Sequence, residues 1–175
     1  MKTQIRQGIF ETNSSSTHAI CISNKGNIKI PKEITFSLSY EFGWEWENYK
    51  DVNTKAAYLY LAMTYVVNGS IGQEVEEFTN NVNKIRSWLK EDNINVNFDP
   101  VRIIFYSWGA CLDRPGYLDH GDQTSEFVSW VLKSKQNLYN YLFNTNSCIA
   151  TGNDNEEREL DIPNRDYEAI FEKGN

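Results

Sequence analysis

"HAICIS", residues 18–23, sets His18, Ile20 and Ile22 on one side of an extended chain and Ala19, Cys21 and Ser23 on the other. That period of two marks a β-strand. It bears on the fold class because the longest periodic segments elsewhere are helical, at residues 54–67, 72–91 and 124–143. If the face shared with Ile20 and Ile22 is the buried one, the imidazole of His18 stands at the edge of the core.

The segment upstream is the loop "FETNSSSTHAI", residues 10–20, with a strand expected before it at 4–11. A two-residue hairpin turn favours Asn-Gly or Asp-Gly. This connection has Asn13 without a glycine, and far more hydroxyls than a turn requires. Downstream, residues 28–30 read as a short strand ended by Pro31. "ITFSLSYEF", residues 34–42, alternates as one half-buried strand, with Ile34, Phe36, Leu38, Tyr40 and Phe42 inward. Residues 54–67 are apolar nearly all round, as in a central helix, and Gly69 suits its C-cap. Residues 72–91 place Val75, Phe78, Val82, Ile85 and Leu89 on one seam. "VRIIFYSW", residues 101–108, is continuously apolar and reads as a central strand. "GACLDRPGYLDHGDQ" follows as a long connection, 124–143 as two helical pieces, and 147–151 as a late strand. The acidic loop 152–161 and a short tail element of either type complete the chain. Strands, helices, a strand and helices again give an α+β fold, a single domain over residues 1–175. It would carry a mixed or antiparallel sheet with helices packed mainly on one face.

Composition bounds the function. Nine Phe, ten Tyr and five Trp in 175 residues supply a substantial core. A net charge of −7 disfavours general duplex nucleic-acid binding, which works by neutralising phosphates. Cys21, Cys111 and Cys148 are odd in number and lack CxxC spacing, so they read as small buried hydrophobes rather than a disulfide framework or structural zinc site. Met1 to Phe10 mixes polar and apolar residues and shows no leader pattern, and no apolar run reaches transmembrane length. The expectation is a protein of the (host) cytosol, with no membrane partner. Oligomeric state and cofactor stay open: GxGxxG, GxxxxGK[ST] and GxSxG are all absent.

Three segments together carry a resemblance. The opening residues Arg6, Gly8, Phe10, Glu11, Thr12, Asn13, Ser14, Ser15, Ser16 and His18, with "YEFGWEWENY" at 40–49 and "GYLDHGDQ" at 116–123, resemble a family of small bacteriophage and prophage proteins. Members of that family open with R-x-G-x-F-E-T-N-S-S-S-x-H. Where the family has Gln-Ser after its Asp-His, this chain has Gly121, Asp122 and Gln123 after His120; "GNDN" at 152–155 is a further match. The resemblance implies a phage or mobile-element setting and candidate positions, not a mechanism.

The hydroxyls and backbone N–H groups of the serine loop suit a phosphate or other oxyanion. In the alternative, Asn and Ser simply satisfy their own turn. His18 and His120 are the only histidines. Together with Asp119 they suit proton transfer at a phosphoester, or a serine such as Ser15 activated by a histidine that an aspartate orients. If a carboxylate lies within hydrogen-bond reach of His18, it is expected to raise the imidazole's pKa against the effect of burial. Asp119, His120 and Asp122 with Asp154 or Glu41 would make a metal site only at a spacing that matches no standard motif. Glu41 and Trp44, in "EFGWEWENY", can stack a base, bind a cation or meet a protein partner.

The resulting candidates are His18, His120, Asp119 and Ser15 for catalysis. For ligand binding they are Glu11, Asn13, Ser14, Ser16, Glu41 and Trp44, with no metal. The function expected is binding of a nucleotide or other small anionic, phosphorylated ligand, with hydrolysis or transfer in phage counter-defence. The alternative is a non-catalytic acidic inhibitor of a host defence protein, through nucleic-acid mimicry or an anti-CRISPR-like contact.

Overall fold

The structure, a computed structural model, describes residues 16–65, 71–106, 109–153 and 169–174. It shows a single-domain α+β fold. The expected strand at 4–11, Gly69 and the acidic loop from residue 154 lie outside the described residues.

The principal sheet has four strands in the order β10-β1-β9-β4, antiparallel throughout. β1 spans Ser16–Ser23, β4 Glu47–Tyr49, β9 Cys148–Asn153 and β10 Ala169–Gly174. In β1 the His18, Ile20 and Ile22 face meets the helices. His18 lies against Tyr58 of α1 (Val52–Tyr65), and Phe171, the partner of Ile22 on β10, packs on Phe127 and Trp130 of α3 (Ser125–Val131). Cys21 and Cys148 face one another across β1 and β9 as buried thiols, not joined in a disulfide.

Helix α1 is central, as its apolar circumference demands: Thr54 through Thr64 are all buried. It starts where Asp51 Oδ1 accepts the amide of Thr54, a capping bond. Its one lysine, Lys55, is buried, and its Nζ donates to the carbonyl oxygens of Asn144 and Ser147. Burial pulls that amine down to about 8. Helix α2 (Ile71–Glu91) buries the seam of Phe78, Val82, Ile85 and Leu89. Helix α4 (Lys135–Phe143) begins at Ser134, whose hydroxyl accepts the Asn137 amide. Among the described residues no helix is long and apolar enough to cross a membrane.

The alternating stretch 34–42 is not one strand. It divides into β2 (Glu33–Phe36), paired parallel with β5 (Asn95–Phe98), and β3 (Glu41–Phe42), paired parallel with β8 (Tyr117–Leu118). The break has a specific cause. Asp99 Oδ2 accepts both the Ser37 hydroxyl and the Leu38 amide, so the backbone there bonds to a side chain instead of a neighbouring strand. Residues 28–30 form no strand either, only an isolated bridge from Ile28 to Asn144. The larger correction concerns "VRIIFYSW". β6 (Arg102–Tyr106) pairs with β7 (Gly109–Asp113) in a separate two-stranded hairpin and is not central. Ile103 and Ile104, on opposite faces of that ribbon, are both more than a third exposed.

Gly116 shows how tightly β3 and β8 approach. A Cβ there would lie 2.2 Å from the carbonyl oxygens of both Leu38 and Tyr40. Gly116→Ala is therefore expected to destabilise the fold by about 1–3 kcal/mol, the usual cost of overpacking, read as a lower urea midpoint. An unchanged midpoint would show that the two segments part freely.

Candidate functional site

β1, α1 and the turn after β8 meet at a small cleft lined by His18, Ile20, Tyr58, Asp119, His120, Gln123 and Thr124. It encloses about 280 Å³ counted out to its open mouth, while its floor has room for little more than one water-sized group. Residues 18 and 120, far apart in sequence, thus share one site.

His18 is buried, and each ring nitrogen meets a hydroxyl. Nε2 lies 3.1 Å from Ser16 Oγ and Nδ1 lies 3.3 Å from Tyr58 Oη. A hydroxyl can donate or accept, so this pair serves either tautomer. Burial brings the imidazole down to about 4, against the opposing pull of Asp119 and of the Gly43 backbone. The carboxylate does raise the value, as expected in direction, but through its charge and not a bond to the ring, and burial outweighs it. Asp119 directs hydrogen bonds from other groups onto itself, while the ring of His18 is desolvated.

Asp119 ties three segments together. Oδ2 accepts the Ser16 amide (3.2 Å) and the Trp44 indole N–H (3.3 Å); Oδ1 accepts the Tyr117 hydroxyl (2.6 Å) and the His120 amide (3.2 Å). Burial alone would raise its pKa. The Tyr117 and Ser16 donors and the neighbouring His120 outweigh that and hold the carboxyl below the usual range. Correspondingly, Tyr117 is pushed up to about 12, chiefly by its bond to that carboxylate.

His120 is the more accessible imidazole of the site, partly buried with its side chain 30 % accessible, with Nε2 3.9 Å from Asp119 Oδ2 and Nδ1 3.3 Å from the Gln123 amide nitrogen. Its backbone is left-handed, φ 53° and ψ 28°. Histidine tolerates that region better than most residues, and such conformations concentrate at functional sites. The conformation is held by the amide bond to Asp119 and by Gln123, whose N–H donates to the His120 carbonyl.

Of the candidates read from the sequence, His18, Asp119, His120 and Ser16 gather here, and Trp44 joins through its indole N–H. Glu41 is exposed, opposite Tyr117 in the β3–β8 register, and does not line the cleft. Glu11, Asn13, Ser14 and Ser15 lie outside the described residues. A Ser-His-Asp relay in its usual order is not what stands at His18, since the Tyr58 hydroxyl occupies Nδ1. Among the described residues, no three His, Cys, Asp or Glu side chains gather to hold a metal ion.

Sequence reasoning missed Tyr58, Tyr117, Gln123 and Thr124. Tyr58 carries no local signal inside an apolar helix. Tyr117 did carry one: it lies two residues before Asp119, the spacing that puts two side chains on one face of an extended chain.

A roomier groove elsewhere, bounded by Phe78, Val82, Phe98 and Leu112, includes Arg86 and Asp99. Asp99 Oδ2 is occupied by Ser37 and Leu38, and Arg86 is bonded to Asn83 and lies over the Phe98 ring. No protein-family model, curated protein or solved structure matches the chain.

Proposed function

We propose that this chain binds a small phosphorylated ligand at the His18–Asp119–His120 cleft and moves protons there during hydrolysis or transfer of the phosphoryl ester. The observation that supports this reading is the pairing of two imidazoles of contrasting environment in one cleft. Groups whose surroundings differ in this way divide naturally into acid and base.

His18, neutral at physiological pH, is the base. Its Nε2 takes the proton of a hydroxyl, either Ser16 Oγ at 3.1 Å or a water or substrate hydroxyl in its place. His120, at the wetter mouth, delivers a proton to the leaving oxygen, and the Asp119 carboxylate beside it balances the charge of its imidazolium form. Asp119 is a positioning residue: its hydrogen bonds fix the start of β1 and the His120 backbone. The resemblance to phage proteins makes counter-defence, by removal of a nucleotide signal, the setting we propose for this chemistry.

The test is turnover of nucleotides and of bis(p-nitrophenyl) phosphate, followed by ³¹P NMR. His18→Gln and His120→Gln are each expected to lower kcat about a hundredfold or more, with far-UV dichroism retained. Absence of turnover, together with histidine ring resonances that ignore millimolar phosphate and nucleotides, would refute it.

A further inference from the structure

The cleft floor has room for only a water-sized group, so a phosphate reaches no deeper than the open mouth and the body of its ligand must lie beyond it. What stands next to the cleft, bonded to its lining residue Asp119, is aromatic. Trp44 and Tyr117 are each 50 % exposed, in a domain that buries Phe36, Phe42, Tyr58, Phe127 and Tyr141 almost completely. Tyr40, 37 % exposed, is stacked on Phe42 beside them and accepts the Tyr117 amide through its carbonyl. Among the described residues, the large hydrophobic side chains left exposed include three aromatics, and all three belong to the segments that carry β3 and β8 around Asp119.

These rings are also held. The indole N–H of Trp44 and the hydroxyl of Tyr117 bond to opposite oxygens of the same carboxylate. Their polar ends are therefore satisfied while much of their apolar surface stays in water. Two large side chains fixed in this way lose little conformational freedom when a flat partner settles on them.

We infer that Trp44 and Tyr117 form a stacking platform for the base of a nucleotide whose phosphate is held in the cleft, which makes the ligand class a mononucleotide. The inference rests on the phosphate reading for the position of the phosphate, but the platform itself does not. Stacking takes any base, since each offers a π-face, and an acidic protein can bind it without a basic surface.

Isothermal titration with AMP, ribose 5-phosphate, adenosine and inorganic phosphate separates the two ideas, with ¹⁵N-indole spectra of the intact protein assigned by Trp44→Phe. Expected is at least tenfold tighter binding of AMP than of ribose 5-phosphate, and a shift of the Trp44 indole signal with both AMP and adenosine. Trp44→Ala should weaken AMP binding about tenfold more than it weakens ribose 5-phosphate binding, whereas Trp44→Phe should keep most of the preference. Equal affinity for AMP and ribose 5-phosphate, with an indole signal indifferent to adenosine, overturns the platform and leaves the phosphate site standing. Binding of adenosine at Trp44 with no contribution from phosphate supports the platform and overturns the phosphate reading. If none of the four binds, both are overturned.

Discussion

Acidifying this protein from pH 6.5 to pH 4 is expected to remove about 3 kcal/mol of folding stability through His18 alone. In the unfolded chain the imidazole takes a proton near pH 6.5; in the folded one it resists until about pH 4. Between those values the unfolded state binds more protons, so stability falls as pH falls. Above pH 6.5 both states are neutral and the contribution is flat. Asp119, held below the usual carboxylate range, adds its own loss only below about pH 3.8, outside this window. The measurement is urea unfolding at half-unit steps from pH 7.5 to 4 for wild type and His18→Gln. The variant keeps polar groups facing Tyr58 and Ser16 but has nothing to titrate, so its curve should be flatter by the stated amount. Parallel curves for the two proteins would mean that the folded imidazole is not desolvated as its burial implies.

Phe127→Ala is expected to cost about 3–5 kcal/mol, the range for deleting a buried aromatic ring. Phe127 is fully buried, and its ring centroid lies 5.0 Å from that of Tyr141, 5.8 Å from Tyr58 and 6.3 Å from Phe171. It thereby joins α3 to α4, to α1 and to the outer strand β10. In a domain of this size that loss corresponds to a fall in Tm of about 10 °C. Tyr58 also hydrogen-bonds His18, so the loosening should reach the cleft and raise the pKa of His18 as water enters. Calorimetry and histidine NMR on the same sample check both parts. A loss below about 1 kcal/mol would show that neighbouring rings close the space.

What the sequence made legible was local. The alternation at His18, Ile20 and Ile22, the buried seam of α2 and the apolar girth of α1 each express one element's environment through its own period. The failures came where a distant group decided the outcome. Ser37 and Leu38 continue a clean alternation, yet Asp99 captures their donors. Ile103 and Ile104 look like a strand buried on both faces, yet they sit in a two-stranded ribbon and meet solvent. The candidate site divides in the same way. Residue type singled out His18, Asp119 and His120, but their meeting depends on the β3–β8 pairing and on Asp119 reaching the Ser16 amide. Period two predicted which face His18 takes, but the sign of its pKa shift turned on how deeply the folded chain buries the ring, which no spacing reveals.

The position of β1 in its sheet also governs when the cleft can exist. β1 opens the described chain, yet its two neighbours, β9 and β10, are among the last elements of that chain, with Ala19 facing both Ala150 and Gly174. Closing such long loops is entropically costly and slow, and contacts of this separation lower folding rates. On a ribosome, the strand bearing Ser16 and His18 emerges early and waits with both edges unpaired while the helices are made. Over that interval it is a sticky strand without a function, and the cleft is completed only when β9 and β10 have been synthesised and docked.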